Sequence, residues 1–294
     1  MRHHLHIDPF SGVAGDMFLG ALTDLGVDPD EIQAALAPLD LRPAYRIRTR
    51  RVQRHGIGAV DLRVELEDGH TNPGAPTHTH DHGGSVPTPT HPHGHAHPHV
   101  GYAAIVGMID RLELPPRARD RARRVVTLLG EAEARVHQKP LEQVHFHEVG
   151  AVDSIVDLLG TVIALEQLGI DTLSCGPLPM GRGFVRCAHG LMPLPAPATA
   201  CLLEGLPTIG VDRTGELVTP TGAALVAGLC ERFGPPPAMT LTGVGYGAGD
   251  REDPDVPNLL RLLRGTRGGE TRGAGPPPPP APATDVAPAP APAP

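Results

Sequence analysis

LHIDPFSGVAGDMFLGAL, residues 5–22, carries a strand, a glycine turn and a helix start in immediate succession. LHID reads as a short strand. PFSGVAGD is a Gly-rich turn. From about Asp16 to Leu25, the apolar Met17, Phe18, Ala21, Leu22 and Leu25 recur at helical spacing. A strand that feeds a helix through a tight turn sets the expectation of an α/β architecture. The turn also has chemical potential. Asp8 sits at the strand end and Asp16 at the helix start, and Ser11, Gly12 and Gly15 between them let backbone N–H groups approach an anion, which a helix N-terminus favours. The same residues also read as a plain glycine turn with Asp16 as a cap.

Outward from this stretch, strands and helices alternate. Asp28-Pro29 starts a second short helix, because proline fits a first turn. Val60, Leu62, Val64 and Leu66 alternate with polar residues, as in a half-buried strand, with Tyr45 to Val52 as its antiparallel partner. Helices are expected from Tyr102 to Leu112 and from Pro115-Pro116 onward, the latter with Ala118, Ala122, Val125, Val126, Leu129 and Val136 on one face. Ala151 to Leu168 is apolar enough to be a core helix. Thr172 to Ala188 predicts short strands, Ala196 to Glu204 a short helix, and Gly243 to Arg264 strands and turns. Thr219 caps a further helix with Pro220 at its first position. The sum is an α/β domain, with α+β as the variant: a mixed sheet with helices over residues 1–264. It is interrupted by a His-rich loop at about 68–99 and followed by a disordered Pro/Ala-rich tail over 265–294.

The densest chemistry lies in VHFHEVGAVDSIVDLLG, residues 144–160. His145 and His147 are two apart and share one face of a strand. Glu148 follows, and Asp153 and Asp157 stand at i and i+4 on one helix face. Imidazoles and carboxylates at a strand-to-helix junction suit nickel, zinc or iron, and they also supply general bases. The bland alternative has Asp153 complementing the helix N-terminus and the histidines simply hydrogen-bonded. Thr219, Thr221 and Gly222 form a second possible anion site, for which a Thr-Pro cap is the plainer reading. GVGYGAGD, residues 243–250, opens no helix, so it is not a dinucleotide fingerprint.

Between Thr77 and Val100 stand His78, His80, His82, His91, His93, His95, His97 and His99, among proline, glycine and threonine. Such a segment buries too little to offset its ordering entropy, and its imidazoles suit nickel, zinc or copper, so a metal reservoir is expected. The formal net charge of −8 argues against nonspecific nucleic-acid binding. The longest apolar stretches are too short to span a bilayer, and MRHHLHIDPF has no apolar signal core, so a cytoplasmic protein is expected. The four cysteines include no C-x-x-C pair, and the single lysine, Lys139, excludes a P-loop.

Taken in order, HIDPFSGVAGDMFLGAL, VHFHEVGAVDSIVDLLG, LVTPTGAAL and GVGYGAGDREDPDVPNLLR resemble the LarC family of nickel-insertion proteins, over about Leu5 to Arg264. The resemblance implies insertion of Ni(II) into pyridinium-3,5-bisthiocarboxylic acid mononucleotide. Two nickel–sulfur bonds and one nickel–carbon bond form, giving the cofactor of lactate racemase and related client enzymes. It implies consumption of CTP with a divalent metal by a second, C-terminal domain. That domain is expected to be missing from this chain, or supplied by a separate polypeptide. On this resemblance His145, His147, Glu148 and Asp153 are candidates for binding nickel or removing the ring proton. The turns at Asp8–Asp16 and Thr219–Gly222 are candidates for the phosphate, and a homo-oligomer is the expected state. Two readings compete: a nickel storage or chaperone protein without chemistry, and a metal-dependent hydrolase built on His145, His147 and Asp153.

Overall fold

A computed structural model of the chain describes residues 2–67, 100–146, 150–187 and 190–268. The histidines from His78 to His99, together with His147 and Glu148, lie outside the described residues, as does the chain after Gly268.

The first half of the chain runs β1 (Arg2–Asp8), α1 (Gly15–Asp24), α2 (Pro29–Leu36), β2 (Tyr45–Arg54), β3 (Ile57–Leu66), β4 (Val100–Gly101), α3 (Tyr102–Arg111), α4 (Pro116–His137) and β5 (His145–Phe146). The second half runs α5 (Val152–Gln167), β6 (Thr172–Cys175), β7 (Leu178–Arg182), β8 (Phe184–Cys187), β9 (Gly190–Pro193), α6 (Pro197–Leu202), β10 (Thr208–Thr214), α7 (Pro220–Leu229), β11 (Arg232–Phe233), β12 (Thr240–Ala248) and β13 (Leu259–Arg267).

Seven strands form a mixed sheet in the order β11-β6-β1-β13-β12-β3-β2. β1 pairs in parallel with β6 and antiparallel with β13, so the opening strand is central and both its faces are covered. The hairpin expected from the Val60–Leu66 alternation is present, with β2 antiparallel to β3 from Tyr45↔Leu66 to Arg54↔Ile57. β13 extends through Arg267, past the point where composition puts the start of the tail, because Gly265 and Arg267 pair across to His4 and Arg2. That pairing depends on a strand far away in sequence, which local composition cannot register.

The α1 helix lies on β12 and β3 and buries Met17, Phe18, Leu19, Ala21 and Leu22. Full burial of one such side chain contributes about 1.5–3 kcal/mol. The GVGYGAG stretch explains how close the helix comes. Gly245 and Gly247 face α1, and a Cβ at those positions would stand 2.3 Å from the Ala21 carbonyl oxygen and 1.8 Å from that of Met17. The alternating glycines are therefore a bare rib on which the helix backbone rests. Behind α1 runs α5, buried along almost its whole length and packed on α1, α2, α4 and α7.

On the opposite face of β1, His4 and His6 form a buried polar pair. Ser174 Oγ on β6 stands 2.8 Å from both His4 Nε2 and His6 Nδ1, and His4 Nδ1 is 2.7 Å from Thr172 Oγ1. Burial pushes the pKa of His4 down to about 4, so these rings are neutral linkers of two strands near pH 7.

Candidate active site

The turn that opens the chain and the turn before α7 meet. Val13 N–H donates to Leu217 O at 2.9 Å, and Thr219 N–H donates to Val13 O at 3.1 Å. The two expected anion-binding turns are thus one structure. Gly12 adopts a positive φ of 125°, and a Cβ there would stand 2.0 Å from Leu217 O, so no other residue fits. Its N–H donates to Pro9 O. Thr219 caps α7 as the sequence predicts: its Oγ1 accepts from Gly222 N at 3.2 Å and shares a hydrogen bond with Thr221 Oγ1 at 3.0 Å. Gly222 has no Cβ because Val13 O would be 2.3 Å from it. These two amides, of Gly12 and Gly222, are occupied within the protein.

The carboxylates gather where the same turn enters α1. α1 begins at Gly15, with Ala14 in the cap position and no side-chain cap. Asp16 is therefore not the cap; its Oδ1 accepts from the next amide, Met17 N, at 2.8 Å. Asp157 reaches across from α5 and lies against Gly15, where a Cβ would be 2.5 Å from its Oδ2. Asp157 is 9% exposed, and its buried Oδ1 has no hydrogen-bond partner. Burial first, then the charges of Asp16 and Asp153, push the Asp157 carboxyl well above the usual carboxylate range. Asp16 is pushed up to about 7, by burial first and then by Asp250, Asp61 and Asp153, against the Met17 amide that lowers it. The solvent that still reaches half-buried Asp16 works against that rise. Asp153 stands in the first turn of α5, with its Oδ1 accepting from Ser154 N at 2.8 Å.

The remaining predicted residues separate from this group. Asp8 Oδ2 receives Arg261 Nε at 2.9 Å and also pairs with Nη2, which ties the registered partners Asp8 and Arg261 across β1 and β13. Ser11 is buried and its Oγ accepts from Arg213 Nη1 at 3.0 Å. His145 is exposed on β5. Among the described residues no group of three or more His, Cys, Asp and Glu side chains is arranged to hold a metal ion. Sequence spacing places Asp157 beside Asp153 but gives no sign that it meets Asp16. Arg213 was missed because its partner Ser11 lies 202 residues away and nothing local in β10 marks the contact.

The geometry defines an α/β protein in which buried carboxyls gather where two helices and two turns converge. The chain belongs to a family of nickel insertion proteins, whose model matches residues 5–277. It is 45% identical over 262 residues to a protein of Geobacter sp. (strain M21) named for nickel insertion, which covers 89% of this chain and 61% of the relative. It is 42% identical over 268 residues to the pyridinium-3,5-bisthiocarboxylic acid mononucleotide nickel insertion protein of Desulfitobacterium hafniense (strain DSM 10664 / DCB-2), covering 91% of this chain and 60% of the relative. The chain thus spans about three fifths of the length of these relatives. No solved structure matches it. Among the described residues no helix is long and apolar enough to cross a membrane.

Proposed function

We propose that this chain carries out nickel insertion into pyridinium-3,5-bisthiocarboxylic acid mononucleotide, with Asp157 and Asp16 as the acceptor of the ring proton. The observation that carries the reading is the buried, unpartnered Oδ1 of Asp157 beside a second carboxyl whose pKa is raised to about 7. A general base works best when its pKa lies near the working pH. In the proposed step the ring C–H bond breaks, its electron pair goes to Ni(II), and the proton goes to the carboxylate pair. The two thiocarboxylates bind nickel through sulfur lone pairs, and nothing is oxidised or reduced. Nickel is substrate here. The histidines from His78 to His99 collect it, and His145, His147 and Glu148 hand it on. The CTP requirement, with its divalent metal, belongs to the same proposal and is assigned to the remaining length of the relatives. So do a homo-oligomeric state and a lactate-racemase-like client.

The test is to mix the purified chain with Ni(II), the dithiocarboxylate mononucleotide and CTP, with and without the remaining portion of a relative, and to follow the absorbance of the nickel product. Product should form, and Asp157→Asn should slow it about 100-fold or more. A storage protein would bind nickel and give no product with either arm.

A further inference from the structure

Arg213 and Arg251 meet beside the opening turn, and one of them has its anion-binding edge unused. Arg213 sits near the end of β10 and donates from Nη1 to Ser11 Oγ at 3.0 Å and from Nη2 to Phe10 O at 3.1 Å. Arg251, in the segment after β12, donates from Nη1 to Thr214 O at 3.3 Å, the residue next to Arg213. Its Nε and Nη2 are buried and have no hydrogen-bond partner. Those two atoms form the edge of a guanidinium that grips two oxygens of a phosphate or carboxylate in parallel. The nearby carboxylate is Asp253, 3.9 Å from Nη2, too far for a hydrogen bond, with its Oδ1 already accepting from Asp255 N and Val256 N. Asp253 and Arg213 are the charges that act most on Arg251, whose guanidinium is partly buried. Buried guanidinium donors with an ion pair but no hydrogen-bonded acceptor are costly, and an anion that accepts from them relieves that cost.

We infer that the Arg251 Nε–Nη2 edge, steadied by Arg213 and the Phe10–Ser11 turn, binds the phosphate monoester of a pyridinium mononucleotide. This rests on the proposed function for the identity of the substrate, and the site supplies the phosphate anchor that the turn amides of Gly12 and Gly222 cannot. A dianionic phosphate suits the place better than a carboxylate, because it can take the edge of Arg251 with two oxygens and answer the charge of Arg213. The Phe10–Ser11 turn runs on into α1, whose first turn carries Asp16 and has the Asp157 carboxyl against Gly15.

The experiment is calorimetric titration of the whole chain with nicotinic acid mononucleotide, nicotinic acid riboside and inorganic phosphate. The mononucleotide should bind and the riboside, without phosphate, should bind about 10- to 100-fold more weakly. Arg251→Ala should lose the difference. Arg251→Lys keeps the charge but not the two-pronged edge, so it should lose most of the difference while its melting temperature stays near wild type. Equal binding of mononucleotide and riboside, or a folded Arg251→Lys chain that binds the mononucleotide as tightly as wild type, overturns the inference. Binding of inorganic phosphate without the mononucleotide also overturns it. These readouts need no nickel chemistry, so they stand or fall separately from product formation.

Discussion

Gly247 and Gly15 both lie against α1 or within it, and each is required because a Cβ has no room, but they make room for different things. At Gly247 the space is filled by helix backbone, Met17 O and Ala21 N. At Gly15 the space is filled by the carboxyl of Asp157, one of whose oxygens has no partner. A missing side chain that admits backbone is architecture. One that admits a buried, partnerless carboxyl is a cost to stability, and such costs gather at functional sites.

The comparison is broken most violently at the rib. Gly247→Ala should destabilise the chain by about 3 kcal/mol or more, since α1 would have to lift off β12, and loss of the cooperative thermal transition is the expected readout. If Gly247→Ala melts like wild type, the rib is not what seats α1.

Gly15→Ala should cost less, about 1–3 kcal/mol, because a side chain can move where a backbone cannot. Its cost should shrink when Asp157→Ala is added, and a double-mutant cycle by denaturant unfolding measures that coupling. Additive costs would show that Gly15 is there for some other neighbour.

The smallest effect is expected on the open edge strand. Arg48 pairs with Glu65 at 3.6 Å, with the two side chains 58% and 53% exposed. Arg48→Ala should therefore change stability by no more than about 0.5 kcal/mol. A larger loss would mean that β2 depends on its charges and not on its pairing with β3.

The periodic elements were legible in the sequence. α5 follows from the apolar run between Val152 and Ile163, the β2–β3 hairpin from the alternation of Val60 to Leu66, and the α7 cap from Thr219-Pro220. Each depends on residues within one turn or one strand pair. What was not legible depends on distance. The alternating glycines of β12 make sense only once α1 lies across them. Arg213 meets Ser11 from 202 residues away, and Asp157 meets Gly15 through the packing of two helices. The candidate site was half visible: Asp16 and Asp153 stood out by position, whereas Asp157 gains its character only from what surrounds it.

The most direct test of the acid–base reading compares wild type and Asp157→Asn in product formation and in stability across pH 4–9. Both carboxyls have raised pKa values in the folded state, so their stabilising contribution is complete below the unfolded carboxylate pKa near 4 and is lost as pH rises through each raised pKa, about 7 for Asp16. Wild type should therefore lose stability over that interval while its rate of nickel insertion climbs as the pair ionises. Asp157→Asn should flatten the stability profile, melt no lower than wild type near pH 8, and form product at least about 100-fold more slowly. A folded Asp157→Asn chain that inserts nickel at the wild-type rate, with the same pH profile, would contradict the account.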